Sequence, residues 1–143
     1  MMRPKSPRQE NQHLRDMARK HACQMLWAPG CLGDDDSTTV MAHENSLAAG
    51  KGMGLKAHDH IAVYACFACH AALDQGRQPA AQKREAFSRA MVRQVRLYRE
   101  IAASPSAKPR DRAAALWALD RIDAASRSVI GLDGGVDQGA NPG

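Results

Sequence analysis

Aromatic side chains are scarce in this chain: two Trp, two Tyr and two Phe among 143 residues, or 4 %. No apolar run approaches the length that spans a bilayer, so no membrane partner is expected. Met1 to Lys20 is polar and basic and lacks the apolar stretch of a secretory signal, so a cytoplasmic location is expected. No Gly-Lys-Ser/Thr follows the cluster Gly50, Gly52 and Gly54, which excludes a Walker-type phosphate loop. Internal repeats are lacking. A chain of this length holds one domain with one modest core. Such a core, thin in aromatics, usually needs a staple.

Four cysteines offer one. Cys66 and Cys69 form a tight Cys-x-x-Cys pair, and Cys23 and Cys31 form a looser pair with seven residues between them. In a reducing compartment disulfides are disfavoured and metal-bound thiolates are the better expectation. Four thiolates complete a tetrahedral zinc without water, so Cys23, Cys31, Cys66 and Cys69 are assigned a structural Zn²⁺. Two other assignments compete. Cys23 and Cys31 could be small buried apolar residues. Cys66-x-x-Cys69-His70 is also the c-type haem attachment sequence, but haem would leave the first cysteine pair without a task.

The formal charge is +5, and it is unevenly spread. Arg3, Lys5, Arg8, Arg15, Arg19 and Lys20 load the N-terminal arm, and Lys83, Arg84, Arg89, Arg93, Arg96 and Arg99 load a later segment. Acids gather at Asp34-Asp35-Asp36 and towards the C-terminus. Separated charge suits a polyanion such as DNA, although a solvated helix face carries the same signature.

The chain divides into four parts. Residues 1–21 read as a basic, mobile arm, helical near Gln12 to Lys20. Residues 22–78 read as a compact core: a strand over Ala22 to Trp27, a turn at Pro29-Gly30, a strand at Thr38 to Met41 delivering His43, a Gly-rich loop over Ala48 to Lys56, a strand over His60 to Ala65, and a helix from Phe67 to Gln75 ended by Gly76. Residues 79–130 form a helical hairpin. Its first helix carries Phe87, Met91, Val95, Tyr98 and Ile101 in one stripe, with Arg89, Arg93 and Arg96 on another face as candidate nucleic-acid contacts. Its second carries Leu116, Leu119 and Ile122. Residues 131–143 read as a flexible tail. The fold class is α+β.

His43, at a strand end beside a loop, is placed to take a proton from water. His70 and Asp74 share a helix face and could hold a second metal ion. Asp59 or His60 could orient His43, and the roles of His58, Asp59 and His60 stay open.

The succession Cys23, Cys31, Ala42-His43 and Cys66-x-x-Cys69-His70 resembles the HNH, or ββα-metal (His-Me finger), endonucleases with an added zinc clasp. A nearer resemblance is to the YbcO-like nuclease family of phages and prophages. It rests on Thr38-Thr39-Val40-Met41-Ala42-His43, Gly52-Met53-Gly54-Leu55-Lys56 and Ala65-Cys66-Phe67-Ala68-Cys69-His70-Ala71-Ala72-Leu73-Asp74, and spans roughly Ala22 to Arg77. The resemblance implies a zinc-stapled ββα-metal core and metal-dependent hydrolysis of DNA phosphodiesters. His43 would be the base, and His70 and Asp74 ligands of a catalytic Mg²⁺ or another divalent cation. Ala42 stands where many HNH enzymes have an acidic ligand, and no Asn lies between Asn45 and Cys66 to match the middle residue of the motif. The alternative is a zinc-stabilised nucleic-acid-binding or adaptor protein without catalysis.

Overall fold

A computed structural model describes residues 8–43 and 58–134, with side chains to residue 124. Seven apolar or small side chains build a two-strand scaffold at its centre. β1 (Val40–His43) pairs antiparallel with β2 (Ala62–Ala65), with Val40 opposite Ala65, Met41 opposite Tyr64 and His43 opposite Ala62. The two-residue period splits the scaffold into two faces. Ala42, Val63 and Ala65 face a core with Cys23, Cys66, Cys69, Leu73 and Phe87. Met41, Ala62 and Tyr64 face a second core with Leu14, Met17, Tyr98, Ile101 and Ala115.

The remaining elements clothe these faces. α1 (Gln12–Asp16) continues into a 3₁₀ turn (Met17–Lys20). Asn11 caps α1, its Oδ1 accepting the Leu14 N–H at 2.9 Å. α2 (Phe67–Gln75) follows β2 directly, and Thr38 Oγ1 accepts the Phe67 N–H at its start. Gly76 ends α2; a Cβ there would lie 2.4 Å from the Ala72 carbonyl oxygen. α3 (Ala80–Ala103) and α4 (Pro109–Gly134) form the expected helical hairpin. No helix among the described residues is long and apolar enough to cross a membrane. The α+β class holds.

Several expectations need correction. Residues 8–21 are not a loose arm: Leu14, Met17 and Ala18 are buried in the second core. Ala22 to Trp27 is not a strand. Its backbone makes two isolated bonds, Gln24 N–H to the Tyr64 carbonyl (2.7 Å) and Cys23 N–H to the Gly33 carbonyl (3.1 Å), because Leu26 turns left-handed at φ 47° to bring the chain around the cysteines. On α4 the buried residues are Ala114, Ala115 and Ala118; Leu119 and Ile122 pack beside them as expected, and Leu116 is exposed. Small side chains let the two long helices approach closely, which a search for large apolar residues overlooks. Gln94 sits in the buried stripe of α3, where its Oε1 accepts the Tyr64 N–H at 2.8 Å. With the Gln24 contact, this satisfies both backbone groups of Tyr64 on the outer edge of β2. α4 extends to Gly134, so the start of the expected tail is helical. The Gly-rich loop over Ala48 to Lys56, the first arm residues and residues 135–143 lie outside the described residues.

Candidate functional site

The four cysteines converge. Their sulfur atoms all lie within 4.8 Å of one another, and none is in a disulfide. A tetrahedral Zn–thiolate centre needs sulfurs about 3.8 Å apart, so small adjustments suffice. The backbone is already turned to thiolates. Cys69 Sγ accepts the N–H groups of Trp27 (3.4 Å) and Ala28 (3.3 Å), Cys66 Sγ accepts Leu32 N–H, and Cys31 Sγ accepts Gly33 N–H. Left-handed Leu26 and Gly33 shape these two turns, and the Pro29-Gly30 turn closes with Cys31 N–H on the Ala28 carbonyl. The Cys69 thiol donates to Cys23, and backbone N–H groups add to it, pulling the Cys23 thiol down to about 4. The same contact, with burial, pushes the Cys69 thiol up. Burial raises Cys31. Four crowded soft donors that cannot all shed protons alone fit a divalent soft metal, and zinc bound here would replace the protons and tie residues 23–31 to α2.

His43 lies on the other face of the sheet. It shares the parity of Met41, and its Nε2 is 2.9 Å from Asp59 Oδ1. Asp59 is fully buried in the turn before β2. Its carboxylate accepts Asn11 N–H at 2.8 Å, contacts Arg15 Nε at 3.0 Å and is reached by Arg8 at 3.3 Å. Its own N–H donates to the Gln9 carbonyl. A buried carboxylate with this many cationic and N–H partners is held in one place. It fixes the His43 ring, and the proton it receives belongs on Nε2, which leaves the lone pair on Nδ1. Of the two residues that could orient His43, Asp59 does so.

The partners of Asp59 were hidden in the sequence. Arg8, Asn11 and Arg15 lie about fifty residues upstream, in a segment whose charge resembles a solvated arm. His58-Asp59-His60, one acid between two histidines ahead of an apolar strand, was the available signal.

His58 and His60 are neighbours of this pair with different tasks. Their rings stack at 5.4 Å, and His58 Nδ1 accepts Gln9 N–H. His60 is buried edge-on against Trp117. Burial, His58 and Arg121 push its pKa down to about 4, against a smaller opposing pull from Asp59. The unfolded chain therefore binds a proton near pH 6.5 that the folded chain refuses until about pH 4. Stability is full above pH 6.5 and falls as the pH drops through this window, by an amount on the order of 3 kcal/mol. Urea unfolding at pH 7 and pH 4.5 checks this. His60→Gln is expected to lose less stability on acidification than the parent, since zinc release affects both alike.

His70 and Asp74 meet on α2 as expected, Nε2 to Oδ2 at 3.2 Å. They do not face His43. α2 packs on the Ala42–Val63 face, and His43 lies on the Met41–Tyr64 face, so the sheet stands between them. Among the described residues, the only group of three or more metal-binding side chains is the cysteine cluster. The pair alone is too small a ligand set for a catalytic ion.

The arginines of α3 have three different fates. Arg89 is exposed and pairs with Glu85 at 2.9 Å. Arg93 donates to the carbonyls of Gln24 (2.6 Å) and Met25 (2.8 Å), bracing the turn between Cys23 and Cys31. Arg96 is exposed. Arg93→Ala is expected to destabilise the fold by about 2–3 kcal/mol, because two carbonyls lose a charged donor. Arg96→Ala should stay within about 0.5 kcal/mol. Paired urea titrations distinguish them.

Comparison with known proteins follows the same lines. The family model described as "Putative nuclease YbcO" matches residues 12–103. The match starts in α1 and ends with α3, beyond the Ala22 to Arg77 stretch that carried the resemblance, so both helices go with the family's core. A solved structure from Escherichia coli K-12, described as that of "a putative bacteriophage protein", is 28 % identical and covers 60 % of this chain and 95 % of its own, with a TM-score of 0.47. No curated protein matches. The family model spans well over half of the sequence, and the chain belongs to the YbcO family of nuclease-like proteins.

Proposed function

We propose that this protein is an HNH-type endonuclease, phage or prophage encoded, that hydrolyses DNA phosphodiester bonds with His43 as general base. The observation that carries the proposal is the His43–Asp59 pair. A half-buried imidazole is held by a fully buried carboxylate, itself held by Arg15, Arg8 and Asn11. Asp59 keeps the Nε2 proton and stabilises the imidazolium once Nδ1 has taken a proton from water. That water then attacks phosphorus, and the 3′-oxygen leaves. Membership of a family named for nucleases supports the reaction class.

Zinc at Cys23, Cys31, Cys66 and Cys69 is structural in this scheme: four thiolates leave no open position for water. Dependence on Mg²⁺ or another divalent ion is part of the proposal, but His70 and Asp74 are withdrawn as its ligands, because the sheet stands between them and His43. The described residues do not complete that ion's shell, and no step is routed through it. Arg89 and Arg96 are proposed as phosphate contacts, and Arg93 is withdrawn from that set because it braces residues 24–25.

The test is nicking of supercoiled plasmid by the zinc-loaded chain, with and without added Mg²⁺ or Mn²⁺. Divalent-dependent nicking that His43→Ala loses supports the proposal. DNA binding without cleavage under every condition favours a zinc-stabilised binding or adaptor protein.

A further inference from the structure

A groove of about 490 Å³ runs between α1 with its 3₁₀ turn and the edge of β1, lined by Arg15, Asp16, Arg19, Val40 and Met41. Its lining includes Met41, on the same face of the sheet as His43, and Val40, on the other. Met41 and His43 are two residues apart on one strand, so about 7 Å separates the groove floor from the His43 backbone. The groove is also tied to His43 through side chains: Arg15, in its wall, contacts Asp59, which holds His43. Arg19 is exposed and forms no ion pair among the described residues. The cavity beside α3, about 350 Å³, differs: its Arg89 is paired with Glu85 and its Arg93 with two carbonyls. Of the two basic surfaces, the groove is the one with an uncommitted guanidinium beside the proposed base.

We infer that this groove carries the sugar–phosphate backbone of one DNA strand, with Arg19 contacting a phosphate adjacent to the one presented to His43. The inference rests on the nuclease assignment above and adds the path of the substrate. The groove is lined by two arginines, one acid and two apolar side chains. Arg15 is already held by Asp59, which leaves Arg19 to meet a phosphate, a contact that carries no sequence information. Asp16, the one acid in the lining, opposes the phosphates and tunes the affinity.

Fluorescence anisotropy with a labelled oligodeoxynucleotide, single-stranded and as duplex, tests this on the full zinc-loaded chain. Arg19→Ala is expected to weaken binding about 3- to 10-fold and to reduce the salt slope by about 0.7 on a single strand or 0.9 on a duplex. A larger loss on the single strand identifies an unpaired strand as the occupant, and a larger loss on the duplex one strand of paired DNA. Asp16→Asn is expected to tighten binding about 2-fold. Arg77→Ala, between α2 and α3, and Asp120→Asn, on the exposed side of α4, are the same charge changes made away from the groove and are expected to change binding by less than about 1.5-fold. Unchanged affinity and slope in Arg19→Ala overturns the inference, as do equal effects at these two positions. A parent that cleaves while Arg19→Ala is indifferent removes the groove alone. A parent that neither binds nor cleaves DNA removes the nuclease assignment with it.

Discussion

Stripping the metal with a strong chelator, or replacing Cys69 by Ser, is expected to abolish cooperative folding of the zinc-side half of this protein. Residues 21–39 contain only turns and bends between the 3₁₀ turn and β1. What holds them is the cysteine cluster, the N–H···S bonds to Cys69, Cys66 and Cys31, and the Arg93 clamp. Cys23, Cys66 and Cys69 are themselves part of the first core, beside Val63, Leu73 and Phe87. Structural zinc sites contribute about 10–16 kcal/mol of apparent binding energy, as large as the whole stability of a domain this size. Loss of a metal bound by these four thiolates would therefore exceed anything the thin core can offset. The second core, where α4 packs on α3 and α1, does not include the cysteines. Thermal unfolding by circular dichroism should lose its sharp transition while keeping residual helix. A Cys69→Ser protein that binds no zinc and melts like the parent contradicts this account.

The parts of the fold legible in the sequence are those set by local chemistry. Cys66 to Gly76 reads as a thiolate pair opening a short helix, and so it folds. The strands around His43 and Ile61 were visible from β-branched and alternating residues. The illegible parts depend on distant partners. Tyr64 needs a side-chain acceptor for its N–H, and Gln94 provides it thirty residues on, inside a stripe expected to be apolar. Asp59 finds its partners in Arg8, Asn11 and Arg15, and so the basic N-terminal residues are packed rather than free. Spacing brought His70 and Asp74 together correctly, because i and i+4 share a helix face. It could not show on which side of the sheet that helix lies relative to His43. That depends on strand parity, and a shift of one residue reverses it.

His43→Ala is the second substitution with a large expected effect, and it acts on rate rather than stability. Asp59 keeps Asn11, Arg15 and Arg8 when the imidazole is removed, so its charge remains compensated and the second core stays closed. The cysteine cluster is on the opposite face and is untouched. DNA affinity, carried by arginines, should be within about 2-fold of the parent's, since one neutral side chain releases no counterions. Proton abstraction from the attacking water is lost. General-base contributions are about a hundred- to ten-thousand-fold, and the cleavage rate should fall by that factor. Asp59→Asn should lower the rate in the same direction, because an amide can present its N–H to Nε2 and favour the wrong tautomer.

The most direct measurement is the single-turnover nicking rate of supercoiled plasmid by parent and His43→Ala, at equal zinc content and equal DNA occupancy, with saturating divalent ion. A rate at least about a hundredfold lower in His43→Ala is the expected result. Equal rates in the two proteins would contradict the assignment of His43 as the base and remove the catalytic role given to the His43–Asp59 pair.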